Sequence, residues 1–429
     1  MRSLGQVSSS CVLKSYVLGL RRGFARKISP ALAMMVCLLL WAIGVQLTVA
    51  PRWGHESYPL GEWLINYAGG FVRRGLPGAW VALLAGASGI QANHLAIFAS
   101  LLCYLLLMTW FLRYATRTFP AALILSCVVM GFPAYQECIV RKDCLGLLLL
   151  LGCLKVDVSR WPRAVAILVI NGLACVAILS HEAFAFYALP ALVCLVYGDR
   201  ESLGASQLLL RCLALLPAAG CFCLVSVFHG TPAVAAAVNH SWLPLWRTIN
   251  PGGVDLDAPV AAIQALGWTS QQGLSPGILV LTSGLYQPVA WAGVFVVSFV
   301  LVVMFTGRDG ERGGNDAKDA KIRVTALLLA QALFIFPLCL LGCDYGRWLF
   351  FWVGSSLMLH TEHRRAPRWL ETAVARAFAR LRFNDFLVRW PANDWYLLCF
   401  GVPICWTYHN FLIASPIGRH LEVVWLWFR

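Results

Sequence analysis

Apolar runs separated by short polar segments set the pattern of this chain, and the polar breaks carry nearly all its charge. Runs near 30–50, 93–112, 119–133, 144–154, 164–180, 183–197, 208–228, 289–306, 324–341, 349–360 and 396–414 predict about eleven membrane-spanning helices. The runs at 119–133, 144–154 and 349–360 fall short of the roughly 20 residues a bilayer needs, so their ends must borrow polar neighbours or one pair must re-enter. Residues 79–89 are shorter still and predict a segment along the interface. The expected fold class is all-α, a polytopic integral membrane helical bundle.

Charge gives the pattern an orientation. Residues 1–29 hold six Lys and Arg and no acid, which predicts a cytoplasmic basic tail. A transmembrane core then spans 30–360, with outer-face loops at 51–78, 134–143, 230–288 and 342–348. A basic amphipathic segment, 361–395, is expected on the inner leaflet, and 396–429 holds a last span and an outer C-terminus. An amphipathic helix is expected near 258–266. This threading puts most of the 34 Lys and Arg on the inner side.

Composition agrees with a lipid-embedded chain: 59% of the 429 residues are hydrophobic and 13% are charged. The 18 tryptophans suit interfacial belts. The net charge of +14 resides in loops and does not indicate nucleic acid. The 16 cysteines lie mostly inside apolar runs, where thiols act as small hydrophobes; pairing among Cys138, Cys144 and Cys343 stays open. Asn239-His240-Ser241 fits a glycosylation triplet at a length where chance suffices.

Against this background Gly69-Gly70-Phe71-Val72-Arg73-Arg74-Gly75-Leu76-Pro77-Gly78 stands out. Glycines permit close backbone approach to a ligand, and guanidinium forks bind phosphate or carboxylate. The plain alternative is a surface turn touching lipid headgroups. The threading brings further charges to the same side: Glu56 and Glu62; Glu137, Arg141, Lys142 and Asp143; His181-Glu182 at a helix end; Asp344 and Arg347 at the last outer bend. Ionisable groups at membrane depth usually line a site. Read locally, Arg141-Lys142-Asp143 is a hairpin ion pair, Asp344 and Arg347 pair one helical turn apart, and His181 and Glu182 diverge by about 100° on a helix.

Arginines beside carboxylates at the edge of a bilayer suit a lipid-linked sugar phosphate. Arg73 and Arg74, then Arg141 and Arg347, would neutralise a diphosphate, with Lys142, Asp143 and Asp344 completing the binding set. Glu56, His181, Glu62 or Glu182 would take a proton from a sugar hydroxyl, Glu56 ranking first. No nucleotide-binding loop is present, so the partners expected are a polyprenyl-phosphate-linked sugar, a glycan acceptor and membrane lipids. Acids soon after the first helix, many spans and charged outer loops resemble the GT-C class of membrane glycosyltransferases. The Gly-Gly-Phe-Val-Arg-Arg-Gly-Leu stretch, with Arg-Lys-Asp, His-Glu and Asp-Tyr-Gly-Arg-Trp, is similar to multi-pass polymerases of bacterial surface polysaccharides (O-antigen or capsule). That resemblance implies a glycosyltransferase of the cell inner membrane. The paired acids common in GT-C first loops are absent, since Glu56 stands beside His55; a divalent metal is therefore not supported, and no cofactor is expected. A lipid-linked oligosaccharide flippase or another transporter is the alternative, and a non-catalytic scaffold the third reading.

Overall fold

The structure, a computed structural model, describes residues 54–126, 128–133, 139–156, 161–196, 205–250, 255–282, 286–307, 315–363, 366, 368–380 and 397. The expected tail, first span and last span lie outside the described residues, as does Glu137. What is described is all-helical, with no strand among the described residues.

The elements run α1 (Tyr58–Leu64), α2 (Gly75–Ser88), α3 (Ala92–Tyr114), α4 (Ala121–Leu125), α5 (Asp143–Lys155) and α6 (Arg163–Ser180). Short turns follow at Phe184–Tyr187, Leu189–Ala191 and Leu192–Val196. Then come α7 (Ala205–Ala214), α8 (Leu216–Val227), α9 (Pro232–Ser241), α10 (Leu243–Ile249), α11 (Ala261–Gln264), α12 (Ser270–Thr282), α13 (Tyr286–Phe305), α14 (Asn315–Leu341), α15 (Tyr345–His363) and α16 (Arg368–Arg380).

Helix α15 is the axis of the larger core. Every residue from Tyr345 to His360 is buried. Its apolar sequence packs on all sides, with Phe351 stacked on Tyr187 at 4.6 Å and Trp352 on Phe295 at 5.4 Å. Small residues bring α5 close: a Cβ on Gly354 would lie 3.0 Å from Leu147. Ser355 and Ser356 turn their hydroxyls back onto the carbonyls of Phe351 and Trp352, which satisfies them in an apolar setting.

The outer surface is apolar where lipid is expected. Phe98, Leu105, Leu168, Leu333 and Phe336 point outward and are more than half exposed. Among the described residues, three helical stretches are long and apolar enough to cross a membrane: Ala92–Arg117, Arg163–Ser180 and Asp316–Leu341. A fourth crossing is available if α7 and α8, bent by 61° at their junction, count as one span.

Two expected spans take another form. Residues 119–133 are not a through-helix: α4 has five residues, and turns follow in which Val129 and Met130 are fully buried. Pro120 opens α4, while Ser126 accepts from the Val128 N–H and so closes a turn instead of continuing the helix. Within the 183–197 run the described residues form a shorter apolar helix, Phe184–Cys194, with Pro190 inside it. The expected outer loop 230–288 is not irregular: α9, α10 and α11 sit in a second, smaller core with α1, α2 and the start of α3, centred on Leu64, Val238 and Trp246.

Charged helix ends sort to opposite poles of the bundle. At one pole Lys155 at the end of α5 meets Glu362 at the end of α15, 2.7 Å away. Arg113, Arg117 and Lys155 surround the Tyr114 ring there, 5.1–5.7 Å from its centroid. The starts of α5 and α15 and the end of α6 meet at the other pole, where the remaining unusual charges converge.

Candidate functional site

The arginine loop is shaped before it does any chemistry. Ser57 caps α1, and Asn66 accepts from the Ala68 N–H to start the following turn. Gly70 has φ of +99°. Gly75 and Gly78 are needed for close packing inside the protein: a Cβ there would lie 2.3 Å from the Tyr67 ring or 2.0 Å from the Ile65 carbonyl oxygen. This revises the reading of these glycines as room for a ligand. Arg74, in contrast, adopts a left-handed conformation (φ 62°, ψ 8°), which costs a residue with a Cβ about 1–2 kcal/mol. Its side chain offsets that cost through a forked contact with Glu182: Nε donates to Oε2 at 2.8 Å and Nη2 to Oε1.

Glu62 lies at the centre of the lattice, fully buried on α1. Its Oε1 faces Arg74 and Arg141, both at 3.5 Å, and Arg347 at 3.8 Å. Its main-chain carbonyl, one of the last of a helix with no intrahelical donor, accepts from Lys142 Nζ at 2.9 Å. Arg347 grips Asp143 with Nε to Oδ2 at 2.9 Å and Nη2 to Oδ1 at 2.6 Å, and gives Nη1 to Asp344 Oδ2 at 2.7 Å. Arg141 lies 3.7 Å from the same Asp344 oxygen and 5.3 Å from the Tyr58 ring. Arg73 reaches Glu182 at 3.5 Å and the Ala265 carbonyl at 3.3 Å, while its buried Nε has no acceptor.

His181 and Glu182 both face this lattice. The expectation that they diverge by a helical step is overturned, because α6 ends at Ser180 and His181 is extended (φ −162°). His181 Nε2 lies 3.0 Å from Arg347 Nη2, and Nδ1 lies 3.2 Å from the Ala183 N–H. Both ring nitrogens thus face donors, and a neutral imidazole has one lone pair to offer.

Electrostatics follow from burial and neighbours. Burial alone would raise the Glu62 carboxyl, but Arg141, Arg347, His181 and Arg74 together hold it far below the usual carboxylate range. Glu182 is also held well down against its burial, chiefly by Arg74. Burial, reinforced by Arg74 and Arg347, pushes His181 well below the ordinary imidazole value, so it is neutral at pH 7 and a poor proton acceptor. Burial pulls Lys142 down to about 7. Folded Lys142 therefore binds its proton less tightly than the unfolded chain does. Stability should rise as pH climbs from about 7 toward 10 and stay flat below 7 with respect to this group. The melting temperature of Lys142→Met should lose that rise relative to wild type; an unchanged slope would show that Lys142 is not the group responsible.

A cavity of about 520 Å³ opens beside the lattice. Its walls carry a charged set, Arg73, Arg74, His181, Glu182, Asp344 and Arg347, and an apolar set, Phe186, Phe222, Leu274, Leu338, Leu341 and Trp348. Glu62, Arg141, Lys142 and Asp143 lie buried behind the charged wall. Glu56 is exposed and lines no part of the cavity. Its neighbour His55 is buried in the second core, bonded to Asn239 at 3.0 Å. Asn239 is itself fully buried, so the glycosylation triplet is inaccessible. Cys144 and Cys343 are free thiols. No group of three metal-ligating side chains occurs among the described residues. Sequence reasoning missed Tyr58 and the whole apolar wall; Tyr58 carried a faint signal in its closeness to Glu62, whereas the wall residues resemble any lipid-facing stretch. Comparison with protein-family models, curated protein sequences and solved structures finds no match to this chain.

Proposed function

We propose that the chain is a multi-pass membrane glycosyltransferase, of the kind that polymerises surface polysaccharide, acting on a polyprenyl-phosphate-linked sugar at the outer face of the inner membrane. The observation that carries this reading is a cavity whose lining combines arginines with large apolar side chains. A ligand with a phosphate head and an isoprenoid tail satisfies both sets at once, whereas a soluble sugar phosphate leaves the apolar set wet. Arg73 is the foremost phosphate ligand, since it lines the cavity with a side chain 27% exposed and its Nη groups make only long contacts, 3.5 Å to Glu182 and 3.3 Å to the Ala265 carbonyl. Arg74 and Arg347 supply field from behind, being committed to Glu182 and Asp143. Charge developing on a departing diphosphate would meet fixed guanidinium groups in a site largely cleared of water.

The orientation is supported by the basic pole at Arg113, Arg117 and Lys155, which fits the cytoplasmic side. The spans expected from the sequence near 30–50 and 396–414 also belong to this reading.

In cells that depend on this protein, Arg73→Lys keeps charge but loses the fork, and polymer formation should fall by about 10–100-fold while the protein inserts normally. Arg73→Ala, Arg74→Ala should abolish it, with lipid-linked saccharide accumulating in the membrane extract. Normal polymer from the double variant overturns the proposal. Loss of saccharide from the outer leaflet, with its donor trapped inside, would identify a flippase instead.

A further inference from the structure

Within the glycosyl-transfer reading, on which this inference rests, the group that accepts the proton of the attacking sugar hydroxyl must touch the cavity and have a lone pair to spare. The carboxylates and the imidazole can be taken in turn. Glu62 is fully buried behind the arginines and does not reach the cavity. Asp143 is 3% exposed, and both its oxygens receive N–H groups of Arg347. Glu182 lines the cavity, but Arg74 occupies both its oxygens. His181 lines it too, with both ring nitrogens facing donors. Glu56 is exposed elsewhere.

Asp344 differs from all of these. It lines the cavity with a side chain 22% exposed, and Arg347 and Arg141 approach Oδ2 alone, at 2.7 and 3.7 Å. Oδ1 receives no hydrogen bond from the described residues. Arg347 thus anchors the carboxylate through Oδ2, while Oδ1 keeps its lone pairs uncommitted among the described residues of a side chain that lines the cavity.

We infer that Asp344 is the general base of the site, accepting the proton of the acceptor sugar hydroxyl on Oδ1. The acceptor oxygen forms a bond to the anomeric carbon of the donor sugar as its proton passes to Asp344. The bond from that carbon to the phosphate oxygen breaks, and the electron pair leaves on the polyprenyl diphosphate, whose added charge faces Arg73. Arg347 is a positioning residue in this step, holding Asp344 in place while Asp143 holds Arg347.

The test uses the full chain in nanodiscs and in cells, with decaprenyl diphosphate as the binding probe. Asp344→Asn should bind the probe within about twofold of wild type yet form polymer about 10²–10⁴-fold more slowly. Asp344→Ala should regain part of that rate when sodium formate supplies a small carboxylate to the vacated space, an effect a purely structural role does not give. Asp344→Asn with normal polymer overturns the inference, as does a slow Asp344→Ala that formate leaves unchanged. If either variant fails to insert, Asp344→Glu decides: it keeps the Arg347 pair but displaces the carboxylate by a methylene. An inserted but slow Glu variant supports the inference, and full activity overturns it. Wild-type protein that neither binds the probe nor affects lipid-linked saccharide would instead sink the glycosyltransferase reading itself.

Discussion

Glu62→Gln is expected to destabilise the protein by about 3–5 kcal/mol, the range for removing one partner of a buried ion pair. Glutamine matches the shape of glutamate and removes only the charge. Three guanidinium groups, those of Arg74, Arg141 and Arg347, then face one another within 3.5–3.8 Å of an amide oxygen. Nothing else on α1 compensates, since Lys142 also points at this residue through the main-chain carbonyl. Glu62 is fully buried, so water cannot take the place of its carboxylate between the arginines without opening the core. The measurement is thermal unfolding of purified protein in detergent, followed by tryptophan fluorescence. A melting temperature equal to wild type would mean that the arginines are held apart by packing alone, and that Glu62 is free for a chemical role. The same variant thus separates a structural Glu62 from the catalytic one that its sequence position suggested.

The second large effect concerns Asp143 and Arg347, which are joined by two parallel hydrogen bonds between the start of α5 and the start of α15. Asp143→Leu leaves Arg347 buried with one carboxylate fewer; Arg347→Met leaves Asp143 buried without its paired guanidinium. Each single change should cost about 3–5 kcal/mol. The double variant Asp143→Leu, Arg347→Met replaces both charges by apolar groups and should cost clearly less than the sum of the singles. A positive coupling of a few kcal/mol in the double-mutant cycle is the signature. Strictly additive losses would show that the two helices are positioned by the packing of Leu147 on Gly354 and not by the ion pair. Activity should vanish in both variants that carry Arg347→Met even where folding is recovered, because Asp344 then loses the Nη1 contact that orients it.

Much of the architecture was legible in the chain. The runs at 93–112, 164–180 and 324–341 correspond to α3, α6 and α14, because a long apolar stretch flanked by charge has few folded options besides a helix in lipid. Loop assignment by charge also predicted that four distant segments share one pole, and the structure brings Glu62, Arg73, Arg74, Arg141, Lys142, Asp143, His181, Glu182, Asp344 and Arg347 to one lattice. Hydropathy cannot tell a run buried by protein from one bathed in lipid, which is why 119–133 and 183–197 read as spans. Helices α9 and α10 looked like loop for the opposite reason, whereas the helix expected near 258–266 is present in part as α11: short helices with small and polar residues carry a weak periodic signal until a second core buries one face.

The sequence by itself determined that this is a helical chain with long apolar runs, with its charge gathered in the polar breaks and an unusual set of arginines and carboxylates among the apolar runs. Those are properties of composition and of charge order, and they need no partner in space. Only the tertiary structure decided which carboxylate meets which guanidinium. Partner choice among ten charged residues depends on ångström distances: Arg74 takes Glu182 because it turns left-handed at the start of α2, and Arg347 takes both oxygens of Asp143 because Gly354 lets α15 approach α5. The same distances removed Glu56 from the site and left Asp344 with an open oxygen, since a side chain's freedom is set by what its neighbours have already claimed.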